Sequence, residues 1–66
     1  MNYKLKKDNF RTALLNNGMS ITDISNKSKV STVTLDKIIN HEGFARAKTC
    51  LKFATALNTN VTELFE

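Results

Sequence analysis

The chain has no proline, only two glycines (Gly18 and Gly43), one cysteine (Cys50) and one histidine (His41). Each shortage excludes something. A lone cysteine forms no internal disulfide, so a disulfide-stapled secreted scaffold is excluded. One His and one Cys fall short of the three or four ligands a zinc centre needs. Isolated glycines build no phosphate-cradling loop. No segment approaches the length that spans a bilayer, and the opening MNYKLKKDNF is charged where a signal peptide is apolar. Catalysis lacks a constellation: Cys50 falls on an apolar helical stripe, where a thiol is structural, and His41 stands alone in a loop, at the surface or beside a phosphate. The expectation is a cytoplasmic protein that is not an enzyme, with no cofactor, no metal, no membrane contact and no evident small-molecule substrate.

What is present fits one small domain spanning residues 1–66. Hydrophobic residues make up 41% and charged residues 24%, which is ordinary for a folded chain and too apolar for a disordered one. A chain of this length buries only about 60% of its unfolded surface, so its stability margin is thin. Ten Lys and Arg oppose six Asp and Glu, a net charge of +4 and a pI near 9.5. That balance points to an anionic partner, nucleic acid being the commonest; solubility charge is the plain alternative.

Apolar spacing reads as helices throughout, with no sustained strand-like alternation. The first helix runs from about Asp8 to Asn17, with Phe10, Ala13 and Leu14 on one stripe and Gly18 as a left-handed stop. Before it lies a basic arm, YKLKK, with Tyr3 and Leu5 as anchors. The second helix follows Ser20, which pairs with Asp23 as a capping box. Ile21, Ile24, Ser25 and Ser28 give it a thin, small-residue face that lets another helix approach. Ser31 caps a third helix from about Thr32 to Asn40. Leu35, Ile38 and Ile39 point inward; Val33, Lys37 and Asn40 point outward, with Thr32 and Asp36 on a flank. A loop of residues 41–45 turns at Gly43. The fourth helix covers about Arg46 to Leu57, with Ala47, Cys50, Leu51, Ala54 and Leu57 as its stripe and Phe53 alongside. Asn58 is a left-handed cap, and Asn60 with Glu63 opens a last helix carrying Val61, Leu64 and Phe65. The expected fold is all-α, a compact five-helix domain. The joint between helices two and three is too short for an antiparallel hairpin, so they cross steeply, which is helix-turn-helix geometry.

The run GMSITDISNKSKVSTVTLDKII, with the tail LKFATALNTNVTELF, resembles the helix-turn-helix DNA-binding domain of phage repressors and Cro proteins, the lambda-repressor-like type. The resemblance covers the chain from about Phe10 to Phe65 and rests on five helices at matching spacings, not on one short motif. Three positions depart from it. Ile21 stands where the family commonly has a polar residue, often Gln, that touches phosphate or a base edge. Ser25 stands where it prefers Ala. Lys29 stands where it prefers Gly in a left-handed turn.

The resemblance implies a sequence-specific regulator of transcription, a Cro-like repressor of phage, prophage or mobile-element origin. Its third helix would enter the major groove of double-stranded DNA, where each base pair shows a distinct edge. By resemblance Ser31, Thr32, Val33 and Lys37 occupy contact positions. Ser31 bonds a phosphate or only caps its own helix. Thr32 reaches a base or phosphate oxygen, Val33 meets a thymine methyl and Lys37 donates to guanine. Asp36 accepts from cytosine or merely serves its helix. Lys27, Lys29, Arg46 and Lys48 frame that helix against the phosphates. Asn40 adds a bond, and the free N–H groups near Ser20 and Thr22 form a small anion site. Family members bind as dimers on half-sites about 34 Å apart. Val61, Leu64 and Phe65 are the candidates for a homodimer surface, or else they cap the core; the dimer forms in solution or only on DNA. The alternative is a protein-interaction module on the same scaffold, an antirepressor or regulatory subunit, since a fold does not settle function.

Overall fold

The computed structural model describes residues 2–66. In chain order these form β1 (Asn2–Lys4), α1 (Lys7–Asn16), α2 (Ile21–Ser28), α3 (Thr32–Asp36), β2 (Phe44–Arg46), α4 (Ala47–Ala56) and α5 (Val61–Leu64). Between α3 and β2, Lys37–Glu42 carry the helix on in wider π-helical turns.

Local chemistry sets the helix ends. Gly18 takes φ 62° after α1; its N–H donates to the Leu15 carbonyl (3.0 Å) and the Met19 N–H to Leu14 (2.9 Å). This two-bond stop also brings Leu14 and Met19 together against the core. Asn58 does the same for α4 at φ 54°, with Asn58 donating to Thr55 (3.2 Å) and Thr59 to Ala54 (2.9 Å). The expected box at α2 is present: Ser20 Oγ accepts from the Asp23 N–H (3.2 Å), and the Ser20 N–H donates to the Asp23 carboxylate (2.9 Å). The bond from the Ser20 N–H, and after it the nearby Ser20 hydroxyl, hold the Asp23 carboxyl below the usual carboxylate range. At α5 the expected side-chain cap does not form. The Asn60 side chain makes no cap bond, and Glu63 donates its N–H to the Asn60 carbonyl instead (3.0 Å).

The fold is mostly helical but not strictly all-α. Tyr3 and Lys4 of the basic arm belong to β1, Lys7 already opens α1, and part of the supposed loop of residues 41–45 belongs to β2. The two strands pair antiparallel as Asn2 with Arg46, Tyr3 with Ala45 and Lys4 with Phe44. On its other side the arm meets the chain's last residues. Lys4 and Glu66 exchange reciprocal backbone bonds (2.9 and 2.8 Å), Leu5 bridges Phe65, and the Lys6 N–H donates to Leu64 (2.7 Å). Three-residue strands are too short to show alternation, so sequence periodicity passes over them.

Phe53 sits at the centre, fully buried, its ring 5.7 Å from Phe10 and 6.2 Å from Phe65. Ile24, Leu35, Cys50 and Leu64 are equally buried in the same core cluster. Two core assignments are corrected. On α4 the buried face is Cys50, Phe53, Ala54 and Ala56, joined by Leu57, while Leu51 is 59% exposed and Ala47 also faces out. Ile21 is exposed too, leaving Ile24, Ser25 and Ser28 as the inner side of α2. Leu64 and Phe65, expected as a dimer surface or as core, are 1% and 3% exposed, and Val61 is half-buried against them. They seal the monomer, and little of their own apolar area remains exposed. The Cys50 thiol is buried near the Ala45 carbonyl (3.6 Å), and burial pushes its pKa up, away from nucleophilic use. The radius of gyration, 10.2 Å, matches the value of about 11 Å for one compact unit of this length.

Candidate nucleic-acid interface

The α2–α3 joint is built by serines. Lys29 adopts the left-handed region (φ 61°, ψ 29°), where a side chain is strained and glycine is not. Ser25 Oγ donates across the turn to the Val30 carbonyl (2.6 Å). Ser28 Oγ donates to Ile24 (2.6 Å) and accepts from the Val30 N–H (3.3 Å). Both hydroxyls are buried, and both fix the angle at which α3 leaves α2. The Ser25 departure from the family pattern therefore has a local role that Ala lacks.

Ser31 caps α3, accepting from the Thr34 N–H (3.2 Å) and donating to Thr34 Oγ1 (3.0 Å). Its hydroxyl is engaged within the helix, which favours the capping role over the phosphate role. Leu35 and Ile38 are buried; Thr32, Val33, Thr34, Asp36, Lys37 and Asn40 are exposed, Val33 at 69%. None of the described residues covers this outward side.

The helix does not end at Asn40. It runs to Glu42 and stops where Gly43 takes φ 75° and donates its N–H to Ile38 (2.9 Å), five residues back. The wider turn places His41 over Asp36, with Nε2 3.3 Å from Oδ2, while Asn40 Nδ2 donates to Asp36 Oδ1 (2.6 Å). His41 is thus a helical residue in contact with an acid, not an isolated loop residue. The Asp36 carboxylate is turned along its own helix, and the Asn40 amide assigned to a phosphate is spent on it.

Every other residue of the expected phosphate frame, namely Ser20, Thr22, Lys27, Lys29, Arg46 and Lys48, is exposed. Lys37 and Arg46 border one shallow cleft of about 280 Å³ with Thr34, Phe44 and Thr49. Lys27 and Lys52 border another, about 310 Å³, between α2 and α4. Lys48 lines neither. Sequence reasoning missed Thr34, Thr49 and Lys52. The spacing of Thr49 and Lys52 from Arg46 and Lys48 on α4 was the available signal. Among the described residues no group of three His, Cys, Asp or Glu is placed to hold a metal ion, and no helix is long and apolar enough to cross a membrane. Comparison with known protein families, with curated proteins and with solved structures yields no match to this chain.

Proposed function

We propose that the chain is a sequence-specific double-stranded DNA-binding regulator of transcription, of the lambda-repressor-like, Cro-like kind. The observation that carries this reading is the bare outward side of α3, with Thr32, Val33 and Lys37 facing solvent while Leu35 and Ile38 anchor the helix from behind. A helix so mounted fits the major groove. Lys37 supplies a donor for guanine O6 and N7, Val33 a methyl contact for thymine, and Thr32 a hydroxyl for a base or phosphate oxygen. Asp36, tethered by Asn40 and His41, is the weakest reader. Around α3, Lys27, Lys29, Arg46 and Lys48 hold phosphates, and the N–H groups at the start of α2 add an anion site beside Ser20 and Thr22. Two copies occupy neighbouring half-sites and meet on DNA, since Leu64 and Phe65 are committed to each monomer's core. Operator occupancy then blocks or tunes a promoter.

The test is a titration of fluorescent random duplex across salt concentrations. Neutralising Z phosphates gives a log–log slope of roughly −0.9Z, so affinity is expected to fall steeply as salt rises. A flat profile, or no binding at low salt, refutes the reading. Genomic footprinting of the tagged protein then supplies the operator.

A further inference from the structure

Between α1, the first turn of α2 and the π-helical turns after α3 lies a groove of about 270 Å³ whose apolar lining the DNA reading does not use, although its wall residue Ile21 lies between Ser20 and Thr22, which that reading sets against phosphate. Leu5 and Phe10 form its buried floor. Leu14, Ile39 and the 42%-exposed Ile21 form its walls. Lys7 and Arg11, one turn apart on α1, stand on the rim, with Asn40 beside them, and among the described residues no carboxylate lines it. The α1 contribution is a single stripe, residues 7, 10, 11 and 14, alternating cation and apolar group. The acids of α2 and α3 are already engaged, Asp23 with Ser20, and Asp36 with His41 and with the rim residue Asn40.

We propose that this groove docks an acidic peptide carrying a bulky apolar side chain. The apolar walls take the side chain, and the Lys7 and Arg11 charges pair with carboxylates on either side of it. Charge complementarity selects this occupant: a basic peptide is repelled, and a neutral one leaves the rim unused. A duplex phosphate would satisfy the two cations but leave Ile21, Leu14 and Ile39 in water. The groove also gives Ile21 a purpose that the core does not. The inference stands whether or not α3 reads DNA.

The probe is a fluorescent synthetic helix with Glu and Asp on one face and a Phe–Leu pair on the other. Its controls are the same peptide with Ser for Phe and Leu, and the same peptide with Lys for the acids. Binding is read by anisotropy, and its place by amide chemical shifts of the labelled protein. The acidic amphipathic peptide is expected to shift Phe10, Ile21 and Ile39. Ile21→Ser is expected to weaken it about tenfold, and Arg11→Glu about threefold to tenfold. Both positions are exposed, and circular dichroism verifies that each variant folds. Equal binding of the Ser or Lys control overturns the proposal, as do shifts confined to other surfaces. A random duplex that moves these resonances when no peptide does assigns the cations to DNA and overturns it as well. No DNA is present in the peptide titration, so its outcome is separate from that of the salt experiment.

Discussion

Replacing Lys29 by glycine tests the turn that aims α3. Lys29 holds φ 61° and ψ 29° with an exposed side chain. A non-glycine residue in that region costs roughly 1–2 kcal/mol, and glycine removes the cost. Glycine also gives the unfolded chain more freedom, worth about 0.4–1 kcal/mol in the opposite direction. The net expectation is a gain of about 0.5–1 kcal/mol, hence a melting temperature higher by about 2–8 °C in a domain of this size. Lys29→Ala is the control, because alanine keeps the strain and loses the charge; its stability is expected to match the parent. Urea and thermal unfolding followed by circular dichroism give both numbers. On DNA the two variants are expected to behave alike, each reducing the salt slope by about one phosphate contact. If glycine fails to stabilise, or alanine gains as much as glycine, the strain argument is wrong. If DNA binding separates the two variants, the lysine charge is not what the duplex meets.

Four further outcomes are expected. Lys37→Ala relaxes preference at one base pair by about 1–3 kcal/mol, whereas Arg46→Ala weakens all sequences alike; operator-variant titrations distinguish them, and identical behaviour removes the assigned roles. Phe53→Ala, at the centre of three rings, costs about 3–5 kcal/mol, a large share of a total stability on the order of 3–10 kcal/mol; a urea midpoint lowered by about that share is the sign, and an unchanged midpoint counts against the packing. Asp23 has a lowered pKa in the fold, so its contribution is complete above the ordinary Asp range and is lost as pH falls through and below it. Asp23→Asn is expected to flatten that part of a urea-midpoint profile taken from neutral to acid pH, and an unchanged slope counts against the box. Ser25→Ala leaves the Val30 carbonyl without its hydroxyl donor, costing about 1–3 kcal/mol, and an unchanged denaturant midpoint would mean that the hydroxyl does not fix the turn.

The parts of this molecule that were legible in sequence are those governed by neighbours within about one helical turn. Ser20 with Asp23, Ser31, Gly18 and Asn58 each act on backbone groups three to five residues away, and each stands where the local pattern put it. The bare side of α3 follows from the same helical period. What was not legible depends on distant partners. β1 owes its existence to β2 and to Glu66, far along the chain, and carries no periodic mark of its own. The α4 face was misphased because Leu51 and Phe53 are both large and apolar; the rings of Phe10 and Phe65 decide which one turns inward. The switch to π-helical turns after Asp36 has no composition signal, and it alone brings His41 to that acid. The groove of Lys7, Arg11 and Ile21 was half-written in the stripe of α1, but its other wall comes from residues 21 and 39.

The clasp between Lys4 and Glu66 bears on the order in which the fold assembles. Joining segments so far apart costs roughly 3–4 kcal/mol in loop-closure entropy for a loop of about 60 residues, so it is repaid only after the helices between have already drawn those segments near. The same few backbone bonds join residues 4 and 66, so a force that separates these two segments loads them first.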